Sequence, residues 1–328
     1  MFNMKNTFRH DGHSSRGYGL QTVEKSVSSY GPSLGNGNIK RFFNIDKQLG
    51  KGAYSTVYRA INKHNNQPVA LKIYRNSTVI MDKESLDMMM TEIYILKHIK
   101  HKNIVQYLAS MKYTNNIFYL VIEYCPGQPL ADRLLTVKYS EIEAAHIAMQ
   151  LVDAIAYLHR VGVTHRDVKD RNVIIDSRNN IKLIDFGFST YDGNAKMHDY
   201  CGTGVYMAPE VIKRDGTNIN NMFVDSYYYL YPTDVWSTGV TIYYMVCGIK
   251  PFKDSSVSVR NRKIMKGNYP IPRGFSPLFL DLINSTMVIN PNNRLTSNQL
   301  LHHRWLIQNS REYRNSSQST KNAVVEQA

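Results

Sequence analysis

Two short runs place four chemically active residues at a fixed separation. Asp167, Lys169 and Asn172 stand in His165-Arg166-Asp167-Val168-Lys169-Asp170-Arg171-Asn172, and Asp185 opens Asp185-Phe186-Gly187. Transfer of a phosphoryl group asks a protein for little covalent chemistry. It needs a carboxylate to orient the attacking hydroxyl, oxygen ligands for magnesium, and positive charge where the transferred group passes. Asp167 has the right type for the first task, Asn172 and Asp185 for the second, and Lys169 for the third.

Upstream, Leu49-Gly50-Lys51-Gly52-Ala53-Tyr54-Ser55-Thr56-Val57 reads as strand, glycine-rich turn and strand. Glycine lets a backbone approach phosphates closely, because no Cβ intervenes and positive φ is open to it. A Gly-x-Gly alone reads more often as a hairpin turn. Val69-Ala70-Leu71-Lys72 follows, a β-type run ending in a cation. A cation of that kind must be held by an acid. Glu92 lies in a helical pattern in which Met88, Ile95 and Ile99 recur at three- and four-residue steps. Asp82, Glu84 and Asp87 are its competitors for Lys72.

These motifs, in this order, resemble the eukaryotic protein kinases of the serine/threonine class. Asp185-Phe186-Gly187-Phe188-Ser189 and His303-Arg304-Trp305-Leu306 look most like the calcium/calmodulin-dependent and AMP-activated-like group. The resemblance covers nearly all of residues 42–307. It implies an α+β, bilobal protein-kinase fold, with a small antiparallel-sheet lobe carrying one helix and a larger helical lobe. It also implies Mg2+ and ATP as cofactors, with transfer of the γ-phosphate to Ser/Thr hydroxyls of protein substrates. The catalytic set it implies is Asp167, Lys169, Asn172, Lys72 and Glu92, the metal ligands being Asn172 and Asp185. ATP would meet the glycine-rich run from Leu49 to Val57, together with Lys72 and Asp185. In Ile122-Glu123-Tyr124-Cys125, the Glu123 carbonyl and the Cys125 amide would face the adenine edge. Ile122 would act as gatekeeper, Val57 and Ala70 would lie above the ring, and Ile174 below it. Glu92 is singled out for Lys72 by its spacing before His101-Lys102-Asn103-Ile104-Val105. One departure is Ser55, where the family pattern has a third glycine. A catalytically inactive pseudokinase scaffold is the rival reading, although none of the chemical groups is missing.

The elements that must position these groups are also legible. Phe42–Leu49, Thr56–Asn62 and Pro68–Tyr74 read as strands, followed by a helix over 83–99 and strands near 104–112 and 117–123. Helical patterns take over from about 140, where Ser140 and Glu143 form a capping-box pattern. The sequence predicts a disordered basic and polar tail over 1–41 and a kinase domain over 42–307, with lobes at 42–124 and 127–307. A disordered polar tail is predicted over 308–328. Glu210, closing Ala208-Pro209-Glu210, is expected to pair with Arg294 as a buried structural bridge.

Composition narrows the class further. The chain has 328 residues, 43% hydrophobic content and a formal net charge of +14. The basic residues are dispersed and no nucleic-acid motif is present, so nucleic acid is not an expected partner. No signal peptide or membrane span is expected. Three cysteines outside any Cys-x-x-Cys pattern point to a reducing, intracellular setting, cytoplasmic with the nucleus also open, and are expected to be small buried hydrophobes.

Three positions where arginine-reading relatives carry carboxylates hold Pro129, Arg171 and Tyr244. Sites with upstream arginine are therefore disfavoured, and acidic ones better tolerated. Residues 215–231 are an insertion that could bind a partner. Asp199, in front of Cys201, is expected to face Arg166 where relatives use a phosphothreonine.

Overall fold

The computed structural model describes residues 39–52, 55–75, 83–114, 117–191, 201–213, 230–271 and 273–325. The chain forms two compact units that divide between Pro126 and Gly127.

The first unit is a five-stranded antiparallel sheet of β1 (Phe43–Lys51), β2 (Ser55–Asn62), β3 (Pro68–Arg75), β4 (Tyr107–Thr114) and β5 (Ile117–Glu123), with one helix, α1 (Lys83–His98). Its strand order is β1-β2-β3-β5-β4. Strand period two decides what β3 does. Val69, Leu71 and Ile73 enter a core with Phe43, Ala60, Met111 and Val121. Ala70, Lys72 and Tyr74 therefore lie on the opposite face of the strand. The core also takes in Ile39, 4% exposed, from the short 3-10 turn Ile39–Arg41. The folded unit thus begins before the expected boundary at 42, because one buried isoleucine anchors an otherwise polar approach.

The second unit begins at Gly127, whose φ of 139° and position, with a Cβ site 2.3 Å from the Ile175 carbonyl oxygen, admit only glycine. It continues with β6 (Gln128–Pro129), α2 (Leu130–Arg133) and α3 (Glu141–Arg160). The capping box forms as predicted: Ser140 accepts from the Glu143 amide, and the Glu143 side chain returns to the Ser140 amide. Next come β7 (Val163–Thr164), β8 (Val173–Ile175), β9 (Ile181–Leu183), β10 (Thr190–Tyr191) and the short α4 (Pro209–Ile212). Strands β6, β8 and β9 form one small sheet, and β7 and β10 another. The helix α5 (Leu230–Cys247) is buried around most of its circumference, including Trp236, Val240 and Tyr243. The helices α6 (Val257–Lys266), α7 (Pro277–Thr286) and α8 (Ser297–Leu301) follow. At Gly239 a Cβ would stand 2.5 Å from Thr286 Oγ1, so α5 and α7 pack backbone-close there.

The expected disordered tail over 308–328 needs correcting. A helix, α9, runs from Arg304 to Val325. Ser310, 2% exposed, donates to the Ala145 carbonyl at 3.1 Å. The Tyr313 ring stacks on His146 with centroids 4.1 Å apart. Its hydroxyl accepts from Asn179 Nδ2 at 3.2 Å. Trp305, Leu306, Ser310 and Tyr313 make a stripe at helical spacing. The stripe escapes a hydrophobicity reading because half of it is hydroxyl-bearing.

Candidate active site

In the first unit, Lys72 is placed by strand register, opposite Val57 on one side and Leu120 on the other. Its Nζ donates to Glu92 Oε1 at 2.7 Å and to Oε2 at 2.9 Å. Both residues are buried. Tyr74, two residues along the same face, donates its hydroxyl to Glu92 Oε2 at 2.6 Å. Tyr74 went unnoticed in the sequence, where it reads as an ordinary strand aromatic; period two from Lys72 was the available signal.

In the glycine-rich run, Gly50 pairs with Val57 and Lys51 with Thr56, and the Gly52 amide donates to the Ser55 carbonyl at 2.8 Å. Ala53 and Tyr54 lie outside the described residues. A Cβ at Gly50 would meet nothing within 4 Å, and one at Gly52 nothing nearer than 3.7 Å. Packing among the described residues therefore does not explain these glycines. Leu49 is 42% exposed, while Ala70 and Ile122 are buried and stand opposite each other across β3 and β5. Glu123 ends β5, and Cys125 follows it with its thiol 3.9 Å from the Glu123 carbonyl.

In the second unit, Asp167 is 3% exposed and held on both oxygens. Oδ2 accepts from Lys169 Nζ at 2.6 Å and from Asn172 Nδ2 at 3.0 Å, and Oδ1 accepts from Thr203 Oγ1 at 2.9 Å. Lys169 also donates to Thr203 Oγ1 at 2.7 Å, closing a ring of contacts. The Asn172 amide nitrogen spends its hydrogens on Asp167, donating to the carbonyl at 2.9 Å as well. That turns the Asn172 amide oxygen toward other uses, and an oxygen is what magnesium takes. Asp185 has φ of 63°, a left-handed conformation unusual for a non-glycine residue. Ile174 sits on β8 with Lys182 and Pro129 as its neighbours across the strands.

The loop that carries Asp167 is tied by a residue that the sequence did not flag for this role. Asp234, fully buried, accepts from the amides of His165 and Arg166, each at 2.8 Å. Arg166 has φ of 64°, and Asp234 is what pins that strained turn. The His165 ring accepts from the Asp167 amide at Nδ1 (3.3 Å) and donates from Nε2 to the Ile184 carbonyl (3.2 Å). These contacts fix the orientation of the ring and tie the loop to the segment leading into Asp185. Arg166 Nε donates to the Phe188 carbonyl at 2.5 Å, while Asp199, its expected partner, lies outside the described residues. So do residues 215–229 of the insertion.

Among the positions expected to govern substrate choice, Arg171 extends outward with its side chain 70% exposed, 3.9 Å from Asp132. Asp170 is buried and paired with Lys250 at 3.2 Å. Lys250 also lies over the rings of Tyr206 and Tyr244, 5.1 and 5.0 Å from their centroids. Burial and the Asp170 carboxylate push both phenols upward in pKa. The cysteines, expected to be buried, are half-buried free thiols. Burial, together with the Glu141 charge, pushes Cys247 up to about 12.

Glu210 meets Arg294 as expected, through contacts at 2.7 and 3.1 Å. Among the described residues no group of three or more His, Cys, Asp and Glu gathers as a metal cage. A site built on one carboxylate, one amide oxygen and phosphates needs no such cage.

The family description "Protein kinase domain" matches residues 43–306. The chain belongs to the protein kinase domain family. Among its relatives is maternal embryonic leucine zipper kinase of Xenopus tropicalis, 34% identical over 278 residues, covering 82% of this chain and 40% of that protein. CBL-interacting serine/threonine-protein kinase 13 of Arabidopsis thaliana is 33% identical over 268 residues, covering 80% and 51%. Myosin light chain kinase A of Dictyostelium discoideum is 32% identical over 297 residues, covering 88% and 96%. The chain therefore spans about half the length or less of the first two, and nearly the whole of the third. Among the described residues no helix is long and apolar enough to cross a membrane.

Proposed function

We propose that this kinase-family chain is an active serine/threonine protein kinase that moves the γ-phosphate of ATP to Ser/Thr hydroxyls of proteins. The observation that carries the reading is the Asp167 carboxylate, held by Lys169, Asn172 and Thr203 with both oxygens oriented. A carboxylate fixed in this way can accept or orient the proton of an incoming hydroxyl. Lys169, bridged to Thr203, supplies positive charge beside that hydroxyl. Lys72, braced by Glu92 and Tyr74, offers a second ammonium, to the phosphates nearer the nucleoside. The open backbone at Gly50 and Gly52 suits contact with phosphate oxygens. Asn172, by its amide oxygen, and Asp185, by its carboxylate, would hold magnesium. When bound, the metal neutralises phosphate charge.

Ile122, Glu123, Cys125, Val57, Ala70 and Ile174 would receive the adenine, a role that rests on resemblance. Pro129, Arg171 and Tyr244 support a preference against upstream arginine, since Arg171 presents an exposed like charge. Free thiols suit a reducing, intracellular compartment.

The test is purified chain with labelled Mg-ATP and a generic protein substrate, beside an Asp185→Asn control, followed by phosphoamino-acid analysis. Label on serine and threonine, lost in the control, is the expected result. Nucleotide binding without transfer would make the chain a pseudokinase scaffold. Transfer to small molecules alone would overturn the protein-substrate reading.

A further inference from the structure

Thr203, whose hydroxyl touches Asp167, is followed by Gly204, and the space beside Gly204 is filled by a cation. A Cβ at Gly204 would stand 2.6 Å from Cζ and Nη1 of Arg260 and 2.8 Å from Nη2. The guanidinium thus rests on bare backbone one residue from the oriented carboxylate's own ring of contacts. Arg260 is half-buried on α6, a helix that also bears Arg262, Lys263 and Lys266 and has no acidic residue.

Several described acids of the second unit already have bases of their own. Asp170 pairs with Lys250 at 3.2 Å, Asp254 with Lys263 at 2.9 Å, and Asp132 faces Arg171 at 3.9 Å. Arg260 differs from these bases. Among the described residues its side-chain hydrogen bonds go only to a neutral acceptor, the Asn261 amide oxygen, at 3.3 and 3.2 Å. A guanidinium half out of water and, among the described residues, without a counter-charge is well prepared to take an anion in a two-pronged hydrogen bond. The contacts with Asn261 hold its plane in place meanwhile.

We propose that Arg260 is a specificity-determining residue that binds an anionic side chain, a carboxylate or a phosphoserine, on the acceptor peptide close to the hydroxyl that is phosphorylated. Consecutive residues of an extended peptide advance roughly 3.3 Å each, which sets the anion roughly one to three residues from the acceptor. The proposal rests on the kinase reading above and adds the substrate class.

The experiment is a positional peptide library scored for phosphorylation by wild type, Arg260→Gln, Arg260→Lys and Gly204→Ala. Separate arms carry Asp or Glu, phosphoserine, and Ala at each position. Thermal melting of each variant confirms folding. In wild type one position should favour an anion over Ala by about tenfold, or ~1.4 kcal/mol. Arg260→Gln should bring that ratio near one, and Arg260→Lys should keep part of it. Gly204→Ala should lower the ratio in the same direction, because the added methyl displaces the guanidinium. Preference for either anion arm supports the proposal and names its source.

A flat wild-type profile, or an unchanged ratio in Arg260→Gln and Gly204→Ala, overturns it. If no peptide is phosphorylated at all, fluorescence anisotropy of labelled acidic and neutral peptides separates the two readings. Acid-selective binding that weakens in Arg260→Gln keeps this proposal while the kinase reading falls. Binding that does not discriminate overturns this proposal too.

Discussion

Each unit contains a buried ion pair, and the two differ in residue type and in how they are braced. In the second unit, every N–H of the Arg294 guanidinium is engaged. Glu210 takes two at 2.7 and 3.1 Å, the Val288 carbonyl two at 3.1 and 2.8 Å, and the Pro232 carbonyl one at 2.6 Å. The flat face lies 5.1 Å from the Trp236 ring centre, and the side chain is fully buried. Five donors in a rigid fork suit a permanent bridge between α4, α5 and the segment after α7. In the first unit, Lys72 meets Glu92 as a compact ammonium on a flexible stem, with Tyr74 holding the carboxylate from another side. A point charge can be shared with a phosphate without rebuilding its surroundings. On the proposed function, the residue type separates a structural bridge from a cation that can serve phosphate.

Removing Arg294 is the most severe way to test that contrast. Arg294→Ala leaves the Glu210 carboxylate and two carbonyls without donors, and breaking a buried pair costs about 3–5 kcal/mol. The urea midpoint of the second unit should fall accordingly, and Arg294→Lys should recover little, for want of the fork. An unfolding curve like that of wild type would show that the bridge is not structural. Lys72→Met should act in the opposite sense. Its kcat/KM should drop by about 10²–10³-fold, the scale of one lost charge-stabilising donor. Its melting temperature should change less than that of Arg294→Ala, since Tyr74 still holds Glu92. A Lys72→Met enzyme that keeps its rate would remove Lys72 from the phosphate chemistry.

The same contrast explains what was legible in the sequence. Asp167, Lys169 and Asn172 sit within six residues of chain, so their mutual reach follows from local geometry. The capping box at Ser140 and Glu143 is equally local, whereas Glu92 stands out from Asp82, Glu84 and Asp87 only through the resemblance, by its spacing before His101-Lys102-Asn103-Ile104-Val105. Asp234 could not be read in this way. Its two bonds to the loop that carries Asp167 span 69 and 68 residues, and only the packed fold brings α5 under that loop. The Lys250–Asp170 pair and the seat of Arg260 on Gly204 are of the same kind. The helix α9 was missed for another reason: its anchors are a serine and a tyrosine, which a hydrophobicity pattern discounts.

Tyr74→Phe sharpens the first half of the comparison at smaller cost. It deletes one donor to Glu92 and leaves the strand aromatic in place. A hydrogen bond to a charged group is worth about 1.5–3 kcal/mol, so the first unit should lose stability on that scale at most. If Tyr74 braces the acid, the rate should fall far less than in Lys72→Met. A loss equal to that of Lys72→Met would mean that the hydroxyl itself serves the reaction.

The smallest effect belongs to the docking of α9. His146 lies under the Tyr313 ring, and burial, then the Arg314 charge, lowers its pKa below the ordinary histidine value. Gln150 Nε2 lies 3.3 Å from the ring, and neither it nor the Tyr313 phenol offers negative charge. An unfolded histidine takes its proton near pH ~6.5, and here the folded one takes it only at lower pH. Between those two values the unfolded chain binds more protons, so stability rises with pH across the window. The contribution is fully present above ~6.5 and is lost as the solution is acidified below it. An aromatic stack of this kind is worth about 0.5–1.5 kcal/mol, which bounds the docking energy at stake. Hydrogen exchange at residues 311–316 should therefore accelerate between pH 7.5 and pH 5.5, after correction for the intrinsic rate. His146→Phe keeps a ring under Tyr313 and removes the titration, so its corrected protection should stay flat over that interval. Equal pH dependence in both proteins would show that His146 does not govern how the helix is held.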